Sequence, residues 1–178
     1  KSIDFVHITH EHPDHLNIES LIALNSFWDP VFILQKTKDR RMASFISKKL
    51  GKRVKEVEGG ENFKMSNNMS IRIYPHGHMD SYSLIKFKNF CILNINDCVL
   101  KDIKSLRKIK KNIGFNLKVD ILLSQYSFAS YVGNKGEISK ILKASENHIN
   151  WVKQRVDFFK PEIFIPFASH VNWCNEEN

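Results

Sequence analysis

The apolar run Ile3-Asp4-Phe5-Val6-His7-Ile8 gives way to Thr9-His10-Glu11-His12-Pro13-Asp14-His15, and no other stretch constrains the chain as strongly. The run reads as a buried strand, and the polar stretch reads as the loop that leaves it. Imidazoles and carboxylates crowd into that loop, and these are the ligands that divalent transition metals take. His10 and His12 are separated by one residue, so on an extended chain both side chains point the same way and can grip one ion. Asp14 and His15 follow a proline that turns the path, so they can address a second ion nearby. A polar turn carrying surface histidines is the simpler alternative, but four potential ligands in this order favour metal.

A chain of 178 residues, 42% of them hydrophobic, is expected to form one globular domain with a real core, residues 1–178. It opens on Lys1 and runs straight into a core-like strand. No signal peptide or membrane-length apolar segment is evident, so no membrane partner is expected. Cys91, Cys98 and Cys174 are an odd count without short spacing, which argues against a disulfide framework and fits a reducing cytoplasm. Much of the net charge of +8 falls in two stretches, Lys36 to Lys55 and Lys101 to Lys111. Such runs read first as solvated helix faces and second as attraction for an anionic substrate, nucleotide or nucleic acid. Around Arg40-Arg41 and Lys108-Lys110-Lys111 no aromatic residue is interleaved to stack bases, which weighs against nucleic acid.

Along the chain, Ile18, Leu21, Ile22 and Leu24 predict a short helix ending near Asn25. Val31 to Leu34 reads as a buried strand. A helix is predicted from about Asp39 to Leu50, with Met42, Phe45, Ile46 and Leu50 on one face and Gly51 as its stop. Strand signals return at Val54 to Val57, then at Phe63 to Met65 and Met69 to Tyr74 around an Asn67-Asn68 turn. Tyr82 to Phe87 and Phe90 to Ile95 form a second hairpin through Lys88-Asn89. Lys101 to Lys111 is expected to be a basic helix, Val119 to Ser124 a buried parallel strand, and Ile163 to Ile165 the last strand. Ile138, Ile141, Leu142, Ser145, Ile149, Val152, Val156 and Phe159 mark the inner face of a long helix that Pro161 ends. Hairpins first and β-α-β alternation later describe a layered α/β domain.

Two further segments carry ligand types at strand ends. Pro75-His76-Gly77-His78-Met79-Asp80-Ser81 places two histidines around a glycine. Asn94-Ile95-Asn96-Asp97-Cys98 ends a strand on an aspartate, where a turn or cap role is the ordinary alternative. Cys98 reads as a small packed residue. No Ser-His-Asp triad or phosphate-binding glycine loop competes with a metal reading.

His10-x-His12-x-Asp14-His15 resembles the H-x-H-x-D-H signature of the metallo-β-lactamase superfamily, and the later motifs follow in a similar order. The resemblance implies an αββα sandwich with one or two metals at the sheet edges, here lacking its first strands. The chain is therefore expected to be a fragment of a longer polypeptide. Gly77-His78 matches the family's next ligand, which makes His78 the third ligand of the first metal and leaves His76 to orient a neighbour or touch substrate. Asp97 stands where the family's bridging carboxylate stands. His170 follows the last strand, where a final histidine usually serves the second metal, although its offset from Pro166 is longer than usual. Leu93 to Cys98, Asp80 to Leu84, and Pro166 to Ser169 with Glu176-Glu177-Asn178 look like the branch containing CMP-N-acetylneuraminate hydroxylase. The Rieske cysteine–histidine pairs of that enzyme do not occur in these residues.

The resemblance thus implies one metal on His10, His12 and His78, and another on Asp14, His15 and His170, with Asp97 between them. Zinc is the first expectation, and iron or manganese fits the same donors. The implied activity is a cytoplasmic metallohydrolase in which a metal-activated hydroxide attacks a small anionic substrate, either phosphorylated or a nucleotide-linked sugar. Asp14 and Asp97 are its catalytic carboxylates, Asp14 as a proton acceptor. The alternatives are a hydroxylase-like, sugar-modifying protein needing a Rieske domain or redox partner, a metal-dependent nuclease, and a site that binds metal without turnover.

Overall fold

A computed structural model describes residues 2–126, 132–134 and 136–167. The chain divides into two units, Lys1–Asn89 and Phe90–Asn178.

The first unit opens with β1 (Phe5–Ile8), α1 (Ile18–Trp28), β2 (Val31–Gln35), α2 (Arg41–Leu50) and β3 (Lys55–Val57). The three strands form a parallel sheet in the order β1-β2-β3, with Phe5 opposite Val31 and Ile33 opposite Lys55. Side chains alternate across a strand, so β2 serves two cores at once. Phe32 and Leu34 pack with Leu21 of α1 and with Met42, Ala43 and Ile46 of α2. Ile33 points the other way, onto Val57, Ile71 and Ile73. The last two belong to the antiparallel strands β4 (Phe63–Lys64), β5 (Met69–His76) and β6 (Asp80–Phe87). This unit is therefore layered as helices, parallel sheet and antiparallel sheet, as the alternation predicts.

The second unit holds β7 (Phe90–Asn94), α3 (Ile103–Ile113), β8 (Ile121–Ser124), α4 (Ile138–Phe159) and β9 (Ile163–Pro166). Its strands pair in parallel, Ile92 beside Ile121 and Ile121 beside Ile163. Asp102 caps α3 by accepting a hydrogen bond from the Ser105 amide at 2.7 Å, and Leu106, Ile109 and Ile113 are the buried face. No helix among the described residues is long and apolar enough to cross a membrane.

Two expectations change. α1 does not stop near Asn25 but runs to Trp28, because the Asn25 carbonyl accepts the Asp29 amide and the left-handed backbone at Asp29 (φ 47°) makes the stop. α4 buries a face only partly the predicted one: Phe159 is buried and Ile141, Ser145, Val152 and Val156 are half-buried as expected, but the rest shifts. Ile138, Leu142 and Ile149 are half or more exposed, whereas His148, Arg155 and Phe159 are buried. The Arg155 guanidinium explains the offset. It turns inward to donate to Ser124 Oγ (2.9 Å), the Gln125 carbonyl (3.2 Å) and the Leu100 carbonyl (3.4 Å). Backbone carbonyls beyond a sheet edge draw the one long side chain that can fork to several of them.

Candidate metal centre

The loop after β1 is built to present imidazoles. The His12 carbonyl accepts the amides of His15 (2.8 Å) and Leu16 (2.7 Å), which closes the Pro13-Asp14 segment into a turn. This turn brings His15 back over His10, their ring centroids 4.2 Å apart. His10 is fully buried, and the Thr9 hydroxyl lies 3.0 Å from its Nδ1. With Nδ1 engaged, Nε2 is the nitrogen left to face a ligand, the usual way a protein fixes a metal-binding histidine. Nε2 lies 2.8 Å from His12 Nδ1 and 3.8 Å from Asp80 Oδ1.

Asp80 is the first residue of β6, and a specific bond brings it there. The hydroxyl of the buried Ser81 donates to the Thr9 carbonyl at 2.7 Å, pinning the start of β6 to the histidine loop. One ligand atom from each of His10, His12 and Asp80 falls within 4.8 Å of the others. Donors on a tetrahedral zinc with bonds of about 2.0–2.1 Å stand roughly 3.3 Å apart. The observed separations bracket that value, and two imidazoles with one carboxylate suit a divalent transition metal. The residues therefore fit an ion.

Glu11, between the two histidines, is directed elsewhere: its Oε1 accepts from Arg41 Nη2 at 2.6 Å, and Asp39 Oδ2 lies 3.6 Å from Arg41 Nε. Arg41, Glu11 and Asp39 line a cleft of about 310 Å³ with Lys38, His78 and Asp80. Its lining thus includes three carboxylates, Glu11, Asp39 and Asp80, and two cations, Lys38 and Arg41.

Of the residues singled out in the sequence, the first unit gathers His10, His12 and His15. Asp14 is exposed, with Oδ2 3.4 Å from His15 Nε2. His78 is exposed in the turn between β5 and β6, where it lines the cleft, and it stands outside the His10–His12–Asp80 group. His76, half-buried at the end of β5, pairs directly with Asp80 across the hairpin. Asp97 follows β7 in the second unit, half-buried, its amide bonded to the side chain of Asn96, which has φ 34°. His170 lies outside the described residues. Asp80 was not among the predicted ligands, though a carboxylate two residues after a His-Gly-His turn, at the start of a strand, was the available signal.

His7, in the middle of β1, has a different environment. By alternation it shares a face with Phe5, toward the second core. Burial pushes its imidazole down to about 4 from 6.5, and its Nε2 is buried without a hydrogen-bond partner.

No protein-family model matches the chain, and no curated protein sequence matches it significantly. Solved structures do match. A variant of CmlA β-hydroxylase is similar with a TM-score of 0.70 at 18% identity, over 94% of this chain and 37% of that one. YhfI from Bacillus subtilis, a metallo-β-lactamase fold protein, gives 0.63 at 12% identity, over 96% of this chain and 66% of that one. The short form of human tRNase Z gives 0.59 at 10% identity, over 94% and 73%. The chain has the metallo-β-lactamase fold. It spans little more than a third of the CmlA structure and just under two thirds of YhfI.

Proposed function

We propose that this chain is a metal-dependent hydrolase acting on a small anionic substrate, with an ion held by His10, His12 and Asp80. The convergence of those three donors, one of them fully buried and oriented by a neighbour, carries the reading. A bound divalent ion would supply a water whose pKa falls from about 15.7 toward about 7, and a positive charge for oxygen to develop against. The chain's own residues do the rest. Thr9 fixes the His10 ring, Ser81 holds Asp80 beside it, and Arg41 keeps the Glu11 carboxylate off the donor set. Lys38, which lines the same cleft, gives an anionic group a cation to meet next to the donors. Asp14, exposed and beside His15, is a proton acceptor within reach of solvent. The remaining ligand assignments, His15, His78, Asp97 and His170, and a second ion with them, are proposed from motif order. The substrate class, a phosphorylated or nucleotide-linked sugar, is proposed from the net charge of +8 and the resemblance.

A second reading is oxidative. Similarity to a β-hydroxylase supports it, with iron at the same donors and a redox partner supplying electrons.

The test is turnover by metal-stripped protein reloaded separately with zinc, manganese or ferrous iron. The probes are bis(p-nitrophenyl) phosphate and a CMP-linked sugar, with His12→Ala as control. Hydrolysis that returns with metal and is lost in His12→Ala supports the proposal. Turnover that requires dioxygen and a reductant would replace it with the oxidative reading. Metal binding unchanged by His12→Ala would remove the site.

A further inference from the structure

On α3, Lys104, Arg107, Lys108 and Lys111 stand at positions i, i+3, i+4 and i+7, so they form one stripe. The opposite face is the buried one, so the stripe looks away from the core of its unit. None of the four makes an ion pair among the described residues. The nearest acid, Asp102, is committed to capping the helix through the Ser105 amide. These cations line a cleft of about 720 Å³ together with Phe115 and Phe158, and no carboxylate lines it among the described residues. Lys110 is there too, but its Nζ donates to the Leu117 carbonyl at 2.5 Å and burial lowers its pKa, so its stem serves as wall. Phe115 is 65% exposed, a large apolar ring left in water beside four cations that form no ion pair among the described residues. The aromatic residues that are not interleaved with the lysines in sequence are thus brought beside them by the loop after α3 and by α4.

We propose that this cleft docks an acidic amphipathic helix of a partner protein. Its carboxylates would lie along the cationic stripe, with an apolar side chain against Phe115 and Phe158. The pitch of the stripe is the argument. Seven residues of helix rise about 10 Å, two turns, which is the repeat at which carboxylates at i, i+4 and i+7 of a facing helix recur. A site that tracks a nucleic-acid backbone spreads its cations over a longer path and offers ring faces for successive bases. Here one short stripe borders one apolar recess.

The experiment uses the full chain and three fluorescent probes, read by anisotropy at about 50 and 200 mM salt. The first is an 18-residue helical peptide with Glu on one face and Leu and Phe on the other. The second is the same peptide with its apolar residues changed to Ser, and the third is a twelve-residue oligothymidylate. The amphipathic peptide should bind, the Ser peptide about tenfold or more weaker, and the oligonucleotide weaker than both at the higher salt. Replacing Lys104, Arg107, Lys108 and Lys111 together with Gln should abolish peptide binding, and Phe115→Ser should weaken it about tenfold or more. All five side chains are exposed, so urea midpoints and metal content should match the parent protein. Equal binding of the two peptides would reduce the cleft to non-specific charge. Tighter, Phe115-dependent binding of the oligonucleotide would make it a nucleic-acid site. Absence of peptide binding, or binding unchanged in both variants, would overturn the proposal.

Discussion

Replacing His7 by leucine should make the fold less sensitive to acid. His7 titrates at about 4 in the folded chain against 6.5 when free of the fold, because its ring is buried and Nε2 has no partner. The depressed value sets the sign. Between pH 6.5 and 4 the unfolded chain binds a proton that the folded chain refuses, so stability falls as pH falls through that window. Above it His7 contributes no pH dependence, and below it the loss levels off. One pKa unit corresponds to about 1.36 kcal/mol, so the loss is about 1 kcal/mol at pH 5.5, roughly 2 to 3 at pH 4.5, and about 3 at the plateau. Leucine has a similar volume and no proton to bind, and it removes the unsatisfied nitrogen. Urea denaturation of both proteins at pH 7.5, 6.5, 5.5 and 4.5 gives the test, since other groups titrate alike in the two and drop out of the difference. His7→Leu should be at least as stable at pH 7.5, and its advantage should grow by those amounts as the pH is lowered. A difference that stays constant from pH 7.5 to 4.5 would refute the buried neutral imidazole.

Thr9→Val should weaken metal affinity about 10–100-fold without unfolding the chain, because His10 Nδ1 loses the hydroxyl that orients it; competition with a chromophoric chelator reads the change. Asp120→Ala should cost about 1–3 kcal/mol in urea denaturation, because the buried Cys91 amide loses its acceptor at 2.7 Å, and Asp120→Asn should recover part of it. Replacing Lys108, Lys110 and Lys111 with Gln should leave turnover of a small substrate within a few-fold, and a large loss would shift the reading toward a polymeric anion.

The histidine loop was legible in the sequence, since His10 and His12 stand two apart after a strand and their proximity needs no folding information beyond local geometry. The layered α/β order was legible for a similar reason: short continuous apolar runs such as Phe32-Ile33-Leu34 mark strands buried on both faces. Asp80 was harder to see. What makes it a neighbour of His10 is the Ser81–Thr9 bond, which joins residues 72 apart in the chain. The inward face of α4 was legible only in part, for a related reason. Apolar periodicity favours Ile138, Leu142 and Ile149, whereas the acceptors that draw Arg155 inward, the Ser124 hydroxyl on β8 and the Leu100 carbonyl after β7, lie far away in sequence. The aromatic wall of the α3 cleft was hidden in the same way, since Phe158 sits 47 positions after Lys111. Local periodicity reports which residues can share a face, and tertiary hydrogen bonds then decide which face is buried.

Metal titration of the stripped full chain tests the central claim most directly. Zinc, manganese and ferrous iron should be compared by calorimetry, with elemental analysis after dialysis, alongside His10→Ala, His12→Ala and Asp80→Ala. The account predicts at least one tightly held transition-metal ion per chain, with affinity lost in both histidine variants and sharply reduced in Asp80→Ala. A stoichiometry near zero with every metal, or an Asp80→Ala protein that binds as tightly as its parent, would contradict it.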